Sequence, residues 1–243
     1  MSASATSPRA GVEMLRVTDL HAFYGESHIL HGIDLTVHQG ELVTLLGRNG
    51  AGRSTTMKSI LGLVGRRTGK IMFDGHDISA MARHGMARLG IGFCAEERGI
   101  FSGLSTEENL MLPPQVASGG MTLDEIYALF PNLHERRHSP GTRLSGGEQQ
   151  MLAMARILRT GAKLLLLDEI TEGLAPVIVK KLGEVLRLLK SRGYTILLIE
   201  QNFRFAAPLA DRHIVLEHGR IVATVTQEEL PSQTAMLHDL LGV

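Results

Sequence analysis

Three short apolar segments, each followed by glycine or by polar residues, constrain the fold of this 243-residue chain more than any other feature. They are Glu41–Leu46, Lys163–Leu167 and Thr195–Ile199. Between the second and the third, apolar residues from Ile178 to Leu189 recur at helical spacing. Strands that are apolar throughout and alternate with helices are typical of a parallel sheet covered on both faces. The sequence therefore predicts an α/β core built from βαβ units.

Other patterns surround this core. Apolar and polar residues alternate from Leu15 to His38, which predicts strands of a partly exposed antiparallel sheet. Near the end of the chain, His213–Leu216 and Arg220–Val225 flank a turn sequence and predict a hairpin. The adjacent residues Arg66 and Arg67 are interpreted as a solvated turn.

The middle of the chain differs from the rest. At about residues 92–160 it shows helical patterns and loops, with no convincing strand after its first few residues. We expect this segment to be a helical subdomain inserted into the core. Residues 1–12 are small and polar and lack the apolar stretch of a secretory signal, so a flexible tail is expected there. Residues 13–243 are expected to form a single domain.

Charge and cysteine content exclude several classes of protein. Lysine and arginine together number 25, and so do aspartate and glutamate, whereas a dedicated nucleic-acid binder needs a surplus of basic residues. The single cysteine, Cys94, excludes an internal disulfide or a cysteine zinc cage and fits a reducing compartment. We expect Cys94 to be a small buried hydrophobe. No apolar run is long enough for a membrane-spanning helix.

A glycine-rich loop follows the first apolar strand and precedes a predicted helix. Its sequence is Gly47-Arg48-Asn49-Gly50-Ala51-Gly52-Arg53-Ser54, which departs from the phosphate-loop pattern G-x-x-x-x-G-K-[ST] at Arg53 alone. Glycines let backbone N–H groups turn towards phosphate oxygens, and the helix N-terminus adds partial positive charge. A glycine-rich turn without a ligand is the alternative. Arginine keeps the charge but is bulkier and planar, so we expect nucleotide binding to survive and hydrolysis to be less certain.

Two carboxylates follow the second apolar strand. Because ligands in open α/β sheets bind at the carboxyl ends of strands, Asp168 is placed to hold Mg²⁺, directly or through water. Glu169 is placed to orient or deprotonate an attacking water. An ordinary solvated acidic turn is the alternative, which the nearby phosphate loop makes less favoured. Ser54 would supply a hydroxyl to the same Mg²⁺.

The string Leu144-Ser145-Gly146-Gly147-Glu148-Gln149-Gln150 is the most informative in the chain. It precedes a predicted helix that ends at about Leu158, so Ser145 and the glycines form a second candidate anion site. With the other motifs, it makes the sequence resemble the ATP-binding-cassette ATPases over essentially residues 13–243. Within them the chain looks most like the ATPase subunits of branched-chain amino-acid importers. The segments that carry this resemblance are LLGRNGAG (Leu45–Gly52), LSGGEQQMLA (Leu144–Ala153), EGLAP (Glu172–Pro176), IEQN (Ile199–Asn202) and LEHGRIV (Leu216–Val222).

The resemblance implies a fold and a nucleotide site. The fold is a P-loop NTPase three-layer core, with a mostly parallel sheet, an N-terminal antiparallel β subdomain and the helical insertion. ATP and Mg²⁺ are the implied ligands, and Tyr24 holds the place of the aromatic that stacks on adenine. The implied phosphate-binding residues are Gly47, Arg48, Asn49, Gly50, Ala51, Gly52, Arg53, Ser54 and Thr55.

Besides Arg53, three positions depart from the family pattern. Glu96 stands where a glutamine usually senses Mg²⁺ and the attacking water, and Gln201 stands where a histidine usually contacts the γ-phosphate. Ile170 replaces a proline, which is expected to shift the following loop, Thr171–Leu174, that the family uses across a dimer interface. The resemblance nevertheless implies catalytic roles for Glu169, Gln201 and Glu96. It implies that Mg²⁺ is held by Ser54, Asp168 and Glu96.

The resemblance also implies partners. The signature residues Leu144, Ser145, Gly146, Gly147, Glu148 and Gln149 would close on the nucleotide of a second ATPase subunit, identical or different. Transmembrane permease subunits would dock around Glu96–Leu110 and the helical region, and a solute-binding protein would act indirectly. The chain is then expected to be cytoplasmic and peripheral on the inner face of the membrane.

The function expected from the resemblance is ATP-driven uptake of branched-chain or related amino acids. Urea or amides are alternative solutes, because such subunits do not touch the solute. A regulatory subunit with little turnover is a second hypothesis, motivated by Arg53. A soluble cassette ATPase of DNA repair or translation is less favoured, because the chain has one cassette, no long heptad run and no basic surplus.

Overall fold

A six-stranded sheet lies at the centre of the protein, whose computed structural model describes residues 11–242. Its strand order is β10-β9-β3-β8-β7-β6, and every neighbouring pair is parallel except the hairpin of β9 and β10. The strands are β3 (Leu42–Gly47), β6 (Ile91–Cys94), β7 (Leu164–Asp168), β8 (Thr195–Ile199), β9 (Arg212–Glu217) and β10 (Arg220–Thr226). The predicted α/β core and hairpin are thus confirmed.

A second, four-stranded antiparallel sheet has the order β2-β1-β4-β5. Its strands are β1 (Glu13–Tyr24), β2 (Ser27–His38), β4 (Arg66–Phe73) and β5 (His76–Asp77). The antiparallel arrangement predicted for Leu15–His38 is confirmed by the pairing of β1 with β2. Residues 1–10 of the expected tail lie outside the described residues.

The prediction of a solvated turn at Arg66 and Arg67 is wrong. Both residues belong to β4, and the guanidinium of Arg66 lies 4.0 Å from the ring centroid of Phe23. Arg67 is half-buried, and its guanidinium donates to four backbone carbonyls, those of Ser59, Ile60, Ile78 and Ser79. The sequence pattern failed because β4 buries only Ile71 and Phe73, too few residues to reveal a strand by alternation.

Helices and the antiparallel sheet cover the two faces of the central sheet. Successive residues of β7 point to opposite faces, so Leu165 and Leu167 join a core with α6 and α7, whereas Leu164 and Leu166 join one with α1 and the antiparallel sheet. The helices are α1 (Arg53–Ile60), α2 (Arg83–Leu89), α3 (Thr106–Met111), α4 (Leu123–Leu129), α5 (Pro131–Glu135), α6 (Gly146–Arg159), α7 (Pro176–Ser191), α8 (Phe203–Ala206) and α9 (Leu230–Leu241).

The chain between β6 and β7 carries the helices α3 to α6 and a 3₁₀ turn at Gly141–Arg143. Serine or threonine caps begin α3, α4 and α6, each in a reciprocal pair with a glutamate three residues on. In the described part of the chain, no helix is long and apolar enough to cross a membrane. The carboxyl ends of β3, β7 and β8 lie side by side, which brings the segments that follow them together.

Candidate active site

The glycine-rich loop connects β3 to α1, and two of its glycines are required by the backbone. Gly47 has φ +150°, and a Cβ there would lie 2.4 Å from the carbonyl oxygen of Leu216. Gly52 has φ +105°, and its Cβ would lie 2.8 Å from Leu30 Cδ2. Larger residues would therefore push the loop away from the sheet.

Helix α1 begins at Arg53 with an N-terminus suited to an anion. Gly52 is its N-cap, no side chain caps it, and no acidic residue stands in its first turn. The first N–H groups of a helix have no intrahelical acceptor, so those of α1 are free to bind phosphate oxygens. Arg48, Asn49 and Gly50 are exposed at the mouth of the loop, whereas Ala51 is buried beneath it and Thr55 is partly buried in α1.

Ser54 and Asp168 meet at the foot of this loop. The hydroxyl of Ser54 donates to Asp168 Oδ1 at 3.2 Å, and Asp168 is only 3% exposed. Burial raises the pKa of Asp168 to about 6; the Ser54 hydrogen bond opposes the shift, and the charges of Glu169 and Glu96 add to it. A hydroxyl and a carboxylate are oxygen donors that Mg²⁺ accepts, and a cation there would favour the ionised carboxylate. The two residues therefore fit a Mg²⁺ site.

Arg53 is turned inward, towards the end of β7. Its Nη2 lies 2.8 Å from Glu169 Oε1, and the two side chains are 5% and 11% exposed. Its Nη1 donates to the backbone carbonyl of Glu200 at 3.1 Å, and Nη2 reaches Asn49 Oδ1 at 3.5 Å. The cation of the phosphate loop is thus paired with the expected catalytic carboxylate.

Gln201 joins the same group from the end of β8. Its Nε2 donates to Asn49 Oδ1 at 2.6 Å and lies 3.4 Å from both carboxylate oxygens of Glu169. An open cleft of about 350 Å³ lies alongside, lined by Gly47, Arg48, Asn49, Gln201 and Leu241. The structure therefore brings Asn49, Arg53, Glu169 and Gln201 together.

The backbone of Glu169 is itself unusual. Its φ is +46°, a left-handed conformation that non-glycine residues rarely adopt and that costs energy. The N–H of Glu169 donates to the carbonyl of Ile199 at 3.0 Å, which ties the strained residue to β8. Hydrogen bonding to the Glu169 carboxylate, and its negative charge, raise the pKa of Glu172. Ile170, which replaces the family's proline, is fully buried in the core formed with α7.

Several expected site residues lie outside this group. Tyr24 is 45% exposed at the end of β1, and Glu96 is exposed in the turn after β6. Within residues 11–242, Glu96 forms no hydrogen bond with Ser54 or Asp168. Its negative charge helps to raise the pKa of Asp168. The roles of Tyr24 and Glu96 stay predictions.

The signature segment forms its own structure at the start of α6. The hydroxyl of Ser145 accepts from the N–H of Glu148, whose carboxylate accepts from the N–H of Ser145. Gly147 is required by packing, because a Cβ there would lie 2.8 Å from Ile178 Cγ1. Gln149 donates to the carbonyls of Gly141 and Leu144. In the described part of the chain, no side-chain hydrogen bond joins this segment to the phosphate loop.

Sequence reasoning assigned no role to Glu200, which adjoins this site, and placed Thr171 only in the loop that the resemblance implies lies across a dimer interface. Glu200 is 2% exposed, and both its carboxylate oxygens accept hydrogen bonds from Thr171. The sequence did contain a signal for Glu200, because this carboxylate directly follows the wholly apolar strand Thr195–Ile199, where the sheet is still buried. Cys94 is buried as expected, next to the side chain of Gln150, and burial raises the pKa of its thiol to about 12.

Known proteins resemble the chain along nearly its whole length. A family model described as ABC transporter matches residues 30–172. The chain is 40% identical to the high-affinity branched-chain amino acid transport ATP-binding protein BraG of Pseudomonas aeruginosa, over 94% of this chain and 100% of that protein. It is 34% identical to the lipopolysaccharide export system ATP-binding protein LptB of Haemophilus influenzae, over 95% of this chain and 98% of that protein.

Solved structures share the fold. The ATP-binding cassette MJ1267 in its ADP conformation matches with a TM-score of 0.81 at 22% identity, over 96% of this chain and 98% of that one. The cassette MJ0796, dimeric in a post-hydrolysis state with ADP and Pi, matches with a TM-score of 0.76 at 23% identity, over 88% and 99% of the two chains.

Proposed function

Because the chain belongs to the ABC transporter family, we propose that it is the ATP-hydrolysing subunit of an importer for branched-chain or related amino acids. As a family member the chain binds and hydrolyses ATP. The observation that supports this solute class is the 40% identity to BraG over the full length of that protein. LptB, whose name describes lipopolysaccharide export, is also similar to the chain, at the lower identity of 34%. Export is therefore the main alternative to the proposed import.

In this proposal the glycine-rich loop and the N-terminus of α1 bind the phosphates of ATP. The backbone N–H groups of Gly50 and of Gly52 to Thr55 face the phosphates, whereas that of Ala51 donates to the carbonyl of Arg48. Tyr24 stacks on the adenine. Ser54 and Asp168 hold Mg²⁺, which neutralises phosphate charge when it is bound. Glu96 follows β6, the strand beside β7, and is the third candidate ligand.

Glu169 orients the attacking water and accepts its proton, and Gln201 donates a hydrogen bond to the γ-phosphate. Phosphoryl transfer depends mostly on positioning and on charge stabilisation, which these residues supply from strand ends. Arg53 must release Glu169 before that carboxylate can act. The negatively charged phosphates offer Arg53 a competing partner, so the exchange is driven by nucleotide binding.

Several partners belong to the proposal. Residues 144–149 would close on the nucleotide of a second ATPase subunit. The dimeric state of the cassette MJ0796, which shares the fold, supports the pairing of two such subunits. The ATPase pair would act on transmembrane permease subunits, supplied with solute by a binding protein. The chain would then work in the cytoplasm, on the inner face of the membrane.

One observation favours a second candidate, a regulatory subunit with slow turnover. The ion pair between Arg53 and Glu169 is buried, and breaking a buried pair is costly unless both charges find new partners. A turnover number for the assembled transporter separates the two candidates, because a regulatory subunit would leave ATP almost unhydrolysed.

Uptake into vesicles tests the proposed solute. The chain, with its partner ATPase and permeases, is reconstituted into proteoliposomes with the solute-binding protein added outside, and accumulation of radiolabelled leucine is compared with that of urea. We expect ATP-dependent accumulation of leucine that the matched Glu169→Gln variant abolishes. Efflux of lipopolysaccharide, or uptake of urea alone, would contradict the proposed solute class.

A further inference from the structure

A buried carboxyl group lies between the two segments that carry the proposed catalytic residues. Glu200 directly follows β8 and is 2% exposed. Its neighbour Gln201 is a site residue, but the hydrolysis scheme uses no atom of the Glu200 side chain. Burying a carboxyl group is unfavourable unless its oxygens find hydrogen bonds.

The two oxygens of Glu200 are both bound by one residue. The backbone N–H of Thr171 donates to Oε1 at 3.1 Å, and the Thr171 hydroxyl donates to Oε2 at 2.8 Å. Thr171 is 7% exposed, so water competes little with these bonds. Within the described residues no lysine or arginine pairs with this carboxyl, since Arg53 binds the backbone carbonyl of Glu200 instead. Burial accordingly raises the pKa of Glu200 to about 7, against the opposing effect of Thr171.

These bonds fasten the strained turn that carries Glu169. The turn is tied to the end of β8 twice, by the N–H of Glu169 on the carbonyl of Ile199 and by Thr171 on Glu200. Between the two ties, Glu169 is held at φ +46°. A strained backbone persists only when its surroundings over-determine it, which two successive ties achieve.

The same ties set the distance between two functional groups. Gln201 follows Glu200 along the chain, and its Nε2 lies 3.4 Å from both oxygens of Glu169. We infer that Glu200 is a positioning residue that, through Thr171, holds the carboxylate of Glu169 in register with the amide of Gln201. This inference rests on the proposed roles of Glu169 and Gln201.

Steady-state ATPase kinetics of the reconstituted transporter test the inference. Thr171→Val removes the hydroxyl at nearly constant volume, Thr171→Ser keeps it, and Glu200→Gln keeps the shape but removes the charge. We expect Thr171→Val and Glu200→Gln each to lower kcat about tenfold with KM for ATP changed less than about twofold, because misplacement harms the transition state more than binding. Thr171→Ser should retain at least half of the wild-type kcat.

A matched control separates positioning from general stability. Thr44 on β3 is fully buried, and its hydroxyl is hydrogen-bonded to His213 at 2.6 Å, so Thr44→Val removes a similar bond away from the site. We expect Thr44→Val to lower the melting temperature but not kcat. We also expect the double variant Thr171→Val/Glu200→Gln to be no slower than Glu200→Gln, because both substitutions disrupt the same contact between Thr171 and Glu200.

Three results would overturn the inference: a wild-type kcat in Thr171→Val, an equal loss in Thr171→Ser, or a rise in KM at unchanged kcat. If Glu200→Gln does not fold, the two Thr171 variants still decide. The readout is ATP turnover, so failure of leucine uptake would contradict the proposed solute and leave this result unaffected.

Discussion

The guanidinium of Arg53 and the carboxylate of Glu169 form a buried ion pair at 2.8 Å across the nucleotide site. One residue belongs to the phosphate loop and the other to the end of β7. In the proposed mechanism, the phosphates would need the guanidinium of Arg53, and the attacking water would need the carboxylate of Glu169. In that mechanism, ATP would have to exchange this pair for contacts of its own.

Replacing Arg53 with lysine should therefore raise turnover. A lysine has one compact ammonium nitrogen, whereas the guanidinium binds the Glu200 carbonyl through Nη1 and Asn49 and Glu169 through Nη2, so lysine should hold Glu169 less firmly. We expect kcat of the assembled transporter to rise about threefold to tenfold in Arg53→Lys as Glu169 is released more easily. Arg212→Lys is the control and should leave kcat unchanged, because Arg212 pairs with Glu41 at the amino ends of β9 and β3, opposite to the glycine-rich loop. A fall in kcat would show that the pair does not restrain Glu169.

Asp168→Asn should remove the Mg²⁺ dependence of nucleotide binding. The amide keeps an oxygen for the Ser54 hydroxyl but loses the charge that attracts the cation. We expect the affinity for ATP to fall about 10–100-fold with Mg²⁺ present and to change little in EDTA. Fluorescence titration with a labelled nucleotide measures both conditions. Asp74→Asn, whose carboxylate pairs with Lys163 elsewhere, is the control. An equal loss of affinity in EDTA would assign Asp168 a structural role instead.

The two signature glycines should respond differently to a methyl group. At Gly147 a Cβ would lie 2.8 Å from Ile178 Cγ1 and 2.9 Å from Cγ2, whereas at Gly146 the nearest atom, at 3.2 Å, ends the flexible side chain of Arg98. We expect Gly147→Ala to lower the free energy of unfolding by about 1–3 kcal/mol through overpacking. Gly146→Ala should change it by less than about 0.5 kcal/mol. Urea denaturation of the isolated chain distinguishes them, and equal stabilities would refute the packing argument.

Glu200 should make the protein less stable as pH rises. Its pKa is raised from 4.5 to about 7, so between these values the folded chain keeps a proton that the unfolded chain releases. The stabilisation is complete below about pH 4.5 and is lost as pH rises through about 7. Glu200→Gln cannot titrate, so its free energy of unfolding should improve relative to the wild type between pH 5 and pH 8, by an amount on the order of a few kcal/mol. Parallel pH profiles for the two proteins would contradict this.

Much of the fold followed from local patterns. The strands at Leu42–Gly47, Leu164–Asp168 and Thr195–Ile199 are buried throughout, so nearly every residue contributes to an apolar signal. Strand β4 escaped prediction because three-quarters of its residues are not buried. Arg67 was interpreted as a solvated residue because its partners are backbone carbonyls 7 to 12 residues away in the chain, which only the structure reveals.

The candidate site was likewise predictable from local sequence only in part. Local sequence by itself determined the glycine-rich loop between β3 and α1, because Gly47 and Gly52 are demanded by backbone geometry and Arg53 begins a helix. It also located Asp168 and Glu169 at a strand end.

Only the tertiary structure decided which of these groups touch. Arg53 and Glu169 are 116 residues apart, and Thr171 and Glu200 are 29 apart, so no local pattern pairs them. Parallel strands β7 and β8 bring their carboxyl ends together, and burial there leaves each polar atom few partners to choose from. The local sequence determined which residue types stand at the strand ends, whereas the packing of the sheet determined their charge pairing, pKa values and backbone strain.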